Sequence, residues 1–227
     1  MYAVTHGTFR TPRGQSVSMA YREDTNDWNT LSSCLTEDEY RLKELTLTGT
    51  ALDVGAHIGG VTIALAIDNP DLRIVAVEAV PPNVDLLWEN VERNGLTERV
   101  TILNAAAGKG KTARIAWAFS GNESADHHAF IGNAVLPESD MSTHSESIVD
   151  VRTLNSLVSE FGPFCFVKSD CEGCEFPFLQ GPALKDLELI RGEVHANPLA
   201  LVQQLEATHT TTITGSIPAA FEAIRHG

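Results

Sequence analysis

From Thr50 onward, short apolar runs alternate with amphipathic stretches of helical length, the pattern of βαβ units wound around a parallel sheet. The first run, Ala51-Leu52-Asp53-Val54, passes into Gly55-Ala56-His57-Ile58-Gly59-Gly60 and then an apolar stretch to Ile67, so strand, glycine turn and helix follow in quick succession. A second strand is predicted over 72–77, ending on Glu78. Pro81 and Pro82 then sit where a helix start tolerates them, and Val84, Leu87, Trp88 and Val91 mark an inner face before Asn94-Gly95 stops the helix. Strands are expected over 100–103, 112–119, 148–151, 164–168 and 187–194, with helices over 154–161 and 197–207. The last two strands, 210–214 and 221–225, are joined by too few residues for a crossover helix, so they should run antiparallel. The expected architecture is α/β: a seven-stranded, mostly parallel sheet with an antiparallel last strand.

Two regions break the rhythm. Residues 1–49 read as an extension, with a strand over 16–21 and a helix over 36–47 introduced by Thr36 and Glu39. Residues 120–147 are rich in Ser, Asp, Asn and His and read as a long functional loop, with Asp126, His127, His128 and His144 as either solvated side chains or contacts. Residues 50–227 would be the main domain, with the extension and the loop closing over a substrate.

Charge narrows the partners. A formal net charge of −14 would repel phosphate backbones and anionic lipid, so nucleic acid and membrane surfaces are disfavoured and a small molecule is preferred. No apolar stretch is long enough to span a bilayer and the first residues are too polar for a secretory signal, so a cytoplasmic protein is expected. The cysteines Cys34, Cys165, Cys171 and Cys174 are too few for a disulfide framework, and reduced thiols are expected. A homodimer is compatible with the chain, with no surface singled out.

A glycine turn between strand and helix lets backbone N–H groups approach a nucleotide-like ligand, and an acid ending the next strand can accept both ribose hydroxyls. Gly55, Gly59 and Glu78 fit, with Glu78 at about the twenty-residue interval expected of a ribose acid. His57 stands where a dinucleotide fingerprint wants glycine and would crowd a pyrophosphate, which counts against a nicotinamide cofactor. Asp53 can orient the turn and attract an ammonium group, directly or through water.

Three ordered segments then carry a resemblance: Asp53-Val54-Gly55-Ala56-His57-Ile58-Gly59, Val77-Glu78-Ala79-Val80-Pro81-Pro82-Asn83, and Lys168-Ser169-Asp170-Cys171-Glu172-Gly173-Cys174-Glu175. Together they resemble the FkbM-type S-adenosylmethionine-dependent methyltransferases, with Asp27-Trp28 weakly similar to the region ahead of that family's core. The resemblance implies a Rossmann-like class I methyltransferase fold, S-adenosyl-L-methionine as cofactor and methyl transfer, usually to a hydroxyl oxygen. It places Asp53, Gly55, His57 and Gly59 around the methionine part, Glu78 on the ribose, and Asn104, Ala105 and Ala106 near the adenine, with Ala79 also among the cofactor-binding residues. His57 departs from the commoner asparagine. Cys171 and Cys174 stand where small apolar residues are usual, and their spacing reads either as packing or as redox or zinc chemistry.

Methyl transfer to an alcohol needs alignment and a group to take the proton, or a metal. Asp170 and Glu172 follow one strand, and Glu193 and His195 follow the next, at the carboxyl ends where open α/β sheets bind ligands. Asp170, Glu172 and His195 are the catalytic candidates, and the same oxygens could hold Mg²⁺. Asp170 and Glu172 could instead cap the helix that follows. Lys168 reads equally as a buried, paired lysine or as a catalytic one. Trp88 is expected in the core and Trp28 near a ligand. The first reading is O-methylation of a sugar, natural product or modified amino acid in a biosynthetic pathway. The alternatives are N-methylation of a small amine, an inactive cofactor-binding module, and a nicotinamide-linked oxidoreductase.

Overall fold

The computed structural model describes residues 3–117, the backbone of 127–131, and residues 145–227. The chain opens with an antiparallel hairpin, β1 (Val4–Arg10) and β2 (Ser16–Arg22), then helix α1 (Asp27–Leu35). The alternating part follows: β3 (Gly49–Val54), α2 (Gly60–Asp68), β4 (Leu72–Glu78), α3 (Pro81–Arg93) and β5 (Val100–Ala107). Next come β6 (Thr112–Trp117), β7 (His127–Ile131), β8 (Ser145–Arg152), α4 (Leu154–Phe161), β9 (Phe166–Ser169) and α5 (Glu175–Phe178). β10 (Leu189–Val194), α6 (Pro198–Leu205), β11 (His209–Thr214) and β12 (Ala219–Arg225) complete the chain.

The large sheet runs β11-β12-β10-β9-β3-β4-β5-β8-β6-β7. Its first seven members are the expected mostly parallel sheet, with β12 antiparallel to both β10 and β11. The sheet does not stop at seven strands. β8 adds in parallel to β5, β6 adds antiparallel to β8, and β7 pairs with β6 from within the segment expected to be loop. Asp126 and His144 lie outside the described residues.

Both faces of the sheet are covered, which is why its central strands are apolar almost throughout. Alternation divides them: Ala51, Ile74 and Ala76 face α2, α3 and the N-terminal segment, whereas Leu52, Val54, Val75 and Val77 face α4, α5 and α6. The N-terminal segment shares the first of these cores, since Phe9, Met19, Leu31, Leu35 and Leu42 are buried with Ile63, Leu65 and Leu87. Among the described residues no helix is long and apolar enough to cross a membrane.

Two local expectations need correction. The helix predicted over 36–47 is instead α1, and Thr36 ends it. Asp38 and Arg41 adopt left-handed φ values of 55° and 52°, so the segment turns repeatedly, with only a single 3₁₀ turn over Leu42–Glu44. Trp88 is 46% exposed, at the edge of a buried face of α3 made by Asn83, Val84, Leu86, Leu87, Asn90 and Val91. Asn90 accepts from Ala20 N–H at 2.6 Å and donates to the carbonyls of Ala20 (3.1 Å) and Ile58 (2.8 Å), tying β2 to the end of the glycine turn.

Because the first core is built jointly, removing residues 1–49 should leave the rest without a cooperative fold. A truncated chain is expected to show no sigmoidal thermal transition by near-ultraviolet circular dichroism; a normal melt would establish 50–227 as an independent unit.

Candidate active site

The turn after β3 is fixed by close approach. Gly55 has φ +73°, and a Cβ there would lie 1.8 Å from the carbonyl oxygen of Asp170, so only glycine fits. The N–H groups of Gly55 and Ala56 both donate to Val77 O, at 2.9 and 3.1 Å. His57, with φ +52°, donates its N–H to Glu78 Oε2 at 2.8 Å, while Glu78 Oε1 accepts from Val80 N–H at 2.9 Å. One carboxylate therefore staples the turn after β3 to the turn after β4.

A cavity of about 310 Å³ opens over these turns. Of the residues assigned to the cofactor, Gly55, His57, Glu78, Ala79, Ala105 and Ala106 line it. The other three are not among the lining residues. Gly59, φ +99°, supplies the left-handed entry to α2. Asn104 donates to the carbonyls of Glu78 (3.0 Å) and Ala79 (3.1 Å), which shapes the rim instead of presenting the amide to a ligand. Asp53 is fully buried, because strand alternation turns it opposite to Leu52 and Val54; it accepts from Thr62 Oγ1 at 2.6 Å on α2. It orients the turn and has no exposed surface for direct contact with an ammonium group.

Lys168 on β9 is the hidden counter-charge. Its Nζ donates to Gly55 O at 2.7 Å and Val54 O at 3.3 Å, and lies 3.6 Å from Asp53 Oδ1 and 3.7 Å from Asp170 Oδ2. Burial alone would lower its pKa, but Asp170 and Asp53 outweigh that and hold it above the ordinary lysine value. Lys168 is thus a buried, paired lysine that also lines the cavity.

The acids gather around one imidazole. His195 Nδ1 meets Glu175 Oε1 at 3.0 Å, and Nε2 lies 3.3 Å from Glu172, 3.7 Å from Asp170 and 3.8 Å from Glu193. The hydrogen bond to Glu175, against the cost of burial and with help from Glu172 and Asp170, pushes the His195 pKa up to about 9. His195 is therefore an imidazolium at neutral pH. Burial raises the pKa of Glu172, which is half exposed at its side chain.

Residues outside the predicted set complete the site. Tyr40 donates its hydroxyl to Asp170 Oδ2 at 2.8 Å, and its ring lies 5.4 Å from Lys168 Nζ. Glu39 lines the cavity, and burial together with a hydrogen bond to Glu193 raises its pKa to about 7. Asp27 accepts from Arg22 Nε at 2.7 Å and Nη2 at 2.8 Å, and lies 3.4 Å from His57 Nε2. Burial would raise the Asp27 pKa, yet the bonds to His57 and Arg22 hold it well below the usual carboxylate range. Arg22 Nη2 also donates to Asn83 at 2.7 Å. The Asp27-Trp28 resemblance was the available signal for this clamp; Trp28 itself is 51% exposed and packs on Phe9, away from the cavity lining. Nothing in local spacing announces Glu39 or Tyr40.

The expectation of four reduced thiols is corrected as well: Cys171 and Cys174 form a disulfide, while Cys34 and Cys165 are free. The turn through Glu172 (φ +54°) and Gly173 (φ +100°) brings the two side chains together.

A parallel sheet, a glycine turn facing a cavity, and an acid ending the second strand define a class I S-adenosylmethionine-dependent methyltransferase. The FkbM methyltransferase domain matches residues 53–224, more than half of the chain, and the protein belongs to that family. It is 33% identical over 79 residues to the O-methyltransferase imqG of Aspergillus flavus, a match covering 34% of this chain and 32% of that protein. The matched part thus spans about a third of that curated relative. The fold is similar to an rRNA methylase of Streptococcus thermophilus, with TM-score 0.50, 9% identity, and coverage of 86% of this chain and 96% of the other. A precorrin-6y C5,15-methyltransferase from Geobacter metallireducens gives TM-score 0.49 at 14% identity, covering 83% and 87% of the two chains. The residues present fit the cofactor, since the turn through Gly55, Ala56 and His57 and the Glu78 side of the next turn all line the cavity.

Two outcomes follow. Lys168→Met leaves the buried Asp53 uncompensated and should cost about 3–5 kcal/mol, read as a lower midpoint in urea. For His195, the folded protein holds the proton more tightly than the unfolded chain, at about 9 against 6.5. The resulting stabilisation is complete below pH 6.5 and is lost as the pH rises through about 9. The thermal midpoint of the wild type relative to His195→Gln should fall across that window; a constant difference would refute the assignment.

Proposed function

We propose that this enzyme methylates a hydroxyl group of a small molecule, such as a sugar, natural product or modified amino acid, in a biosynthetic pathway. The observation that carries the reading is the placement of Asp170 and Glu172 at the carboxyl end of β9, beside the Gly55 turn and on the wall of the cofactor cavity. The name of the Aspergillus flavus relative, an O-methyltransferase, supports the choice of oxygen.

When bound, S-adenosylmethionine supplies an electrophilic methyl group on sulfur. The protein's own work is alignment and proton removal. Asp170, anchored by Tyr40 and Lys168, accepts a hydrogen bond from the acceptor hydroxyl and fixes its direction. Glu172 takes the proton, because burial raises its basicity and His195 already carries a proton. His195 serves as a fixed cation that keeps the surrounding carboxylates from repelling one another. Glu78 and the 55–57 backbone hold the nucleoside side.

One observation favours a second reading in which Mg²⁺ organises the acceptor: Asp170, Glu193 and His195 each offer a ligand atom within 4.8 Å of the others.

The test is release of S-adenosylhomocysteine on a panel of hydroxylated and amine acceptors, with Mg²⁺ and with EDTA. Glu172→Gln should lower kcat by about 10²–10⁴-fold and leave S-adenosylhomocysteine affinity near the wild-type value. Transfer to amines alone would overturn the hydroxyl assignment, and abolition of turnover by EDTA would move the cluster from proton transfer to metal binding.

A further inference from the structure

The loop that presents Asp170 and Glu172 is closed on itself by sulfur. Cys171 and Cys174, bridged as a disulfide, flank Glu172 and Gly173, and both line the cavity. Neighbouring contacts transmit the state of that bridge to the acids. Cys171 Sγ lies 3.8 Å from Glu175 Oε1, the oxygen that also receives His195 Nδ1 at 3.0 Å. Gly173 N–H reaches the same oxygen at 3.2 Å, and Cys171 N–H reaches it at 3.4 Å. Glu172 is held in a left-handed conformation, φ +54°, which a residue with a side chain adopts at a cost and which the closed loop imposes.

We propose that Cys171 and Cys174 form a reversible redox site whose bridged state holds the 170–175 loop in its ligand-binding shape, so that a dithiol reductant switches the enzyme down. The inference goes beyond methyl transfer but rests on the reading of this loop as the wall between cofactor and acceptor. Cys171 is partly exposed and Cys174 is buried, so an incoming thiolate reaches Cys171 first. The S–S bond breaks as a mixed disulfide forms on Cys171, and Cys174 leaves as a thiolate and takes up a proton. The second thiol of the reductant then displaces Cys171, which is protonated in turn. The protein gains two electrons and two protons, and the reductant departs as its own disulfide. Unbonded heavy atoms keep apart by about 3.5–4 Å, so the two sulfurs must separate after reduction. Cys174 is fixed in the core beneath the sheet with Phe178 and Leu179, hence the Cys171 side of the loop moves and carries Glu172 with it.

The experiment compares protein isolated without reductant, protein treated with dithiothreitol, and protein reoxidised afterwards. Alkylation under denaturing conditions followed by intact-mass measurement should find two reactive thiols before reduction, Cys34 and Cys165, and all four afterwards. Calorimetric titration with S-adenosylhomocysteine should show about fivefold weaker binding after reduction, or about 1 kcal/mol, reversed by reoxidation. Deuterium exchange of the 170–175 amides should rise in parallel. The Cys171→Ser/Cys174→Ser double variant should bind as the reduced protein does and ignore dithiothreitol, whereas Cys165→Ser should keep the response. Four alkylated thiols before reduction, or equal affinity and exchange in both states, would overturn the proposal. Failure to methylate hydroxylated acceptors would sink the acceptor assignment alone, since neither the thiol count nor the affinity ratio depends on it.

Discussion

A lysine ammonium buried to 3% exposure has to be paid for by its surroundings, and Lys168 organises the site because of what it needs. Two carbonyls from the Gly55 turn, the buried carboxylate of Asp53 and the cavity-facing carboxylate of Asp170 converge on it. Three neighbouring features are thereby locked together: the end of β3, the start of α2 through Thr62, and the loop after β9. The Gly55 turn and the loop after β9 share this one counter-charge, and the pairing of β3 with β9 carries on to a bond from Asp170 N–H to Val54 O that leaves no room for a Cβ at Gly55.

The N-terminal segment acts on the same turn from the opposite side. Arg22 and Asp27 form a buried pair that reaches His57 and Asn83, and Asn83 also donates to Glu78 Oε1 at 3.3 Å. A buried ion pair contributes little net stability by itself, because desolvation consumes much of the Coulomb gain. Its value here is positional. The pair sets the left-handed His57 and, through Asn83, the carboxylate that closes the rim, while Tyr40 from the same segment fixes Asp170. An extension that looked appended in sequence is part of the wall.

What could be read from the chain was what lies close together along it. The strand, glycine turn and helix around Gly55, the acid at Glu78 and the Asp170-Glu172 motif are local patterns with fixed spacing, and the structure sets Gly55, Glu78, Asp170 and Glu172 around one cavity. The burial of Asp53 follows from period: residues on a strand alternate, so the position between Leu52 and Val54 faces the α2 side. Trp88 is exposed where the periodicity placed it inside: the buried stripe of α3 includes Asn83, which bonds the Arg22 and Glu78 side chains, and Asn90, which bonds the backbone of Ala20 and Ile58. Tyr40 meets Asp170 across 130 residues of sequence, and no spacing rule covers such a contact. The strand β7 was hidden for a similar reason, since antiparallel pairing with β6 stabilises a segment whose own composition reads as loop.

The charge balance at the acceptor end links these parts to the chemistry. Asp170, Glu172, Glu175 and Glu193 surround a single imidazolium, and Glu39 adds a fifth carboxyl whose pKa burial and the neighbouring Glu193 carboxylate raise above the ordinary value. Such a group of acids, partly shielded from water, favours a positively charged sulfonium nearby and has capacity for one more proton. Methylation of a hydroxyl consumes that sulfonium charge and releases one proton. The cluster therefore changes its total charge load little between the bound reactants and the products, provided that the released proton stays on Glu172 or passes to the Glu39 and Glu193 pair. A site built from neutral polar groups could bind the same nucleoside through Gly55 and Glu78, but it would have nowhere to put the proton.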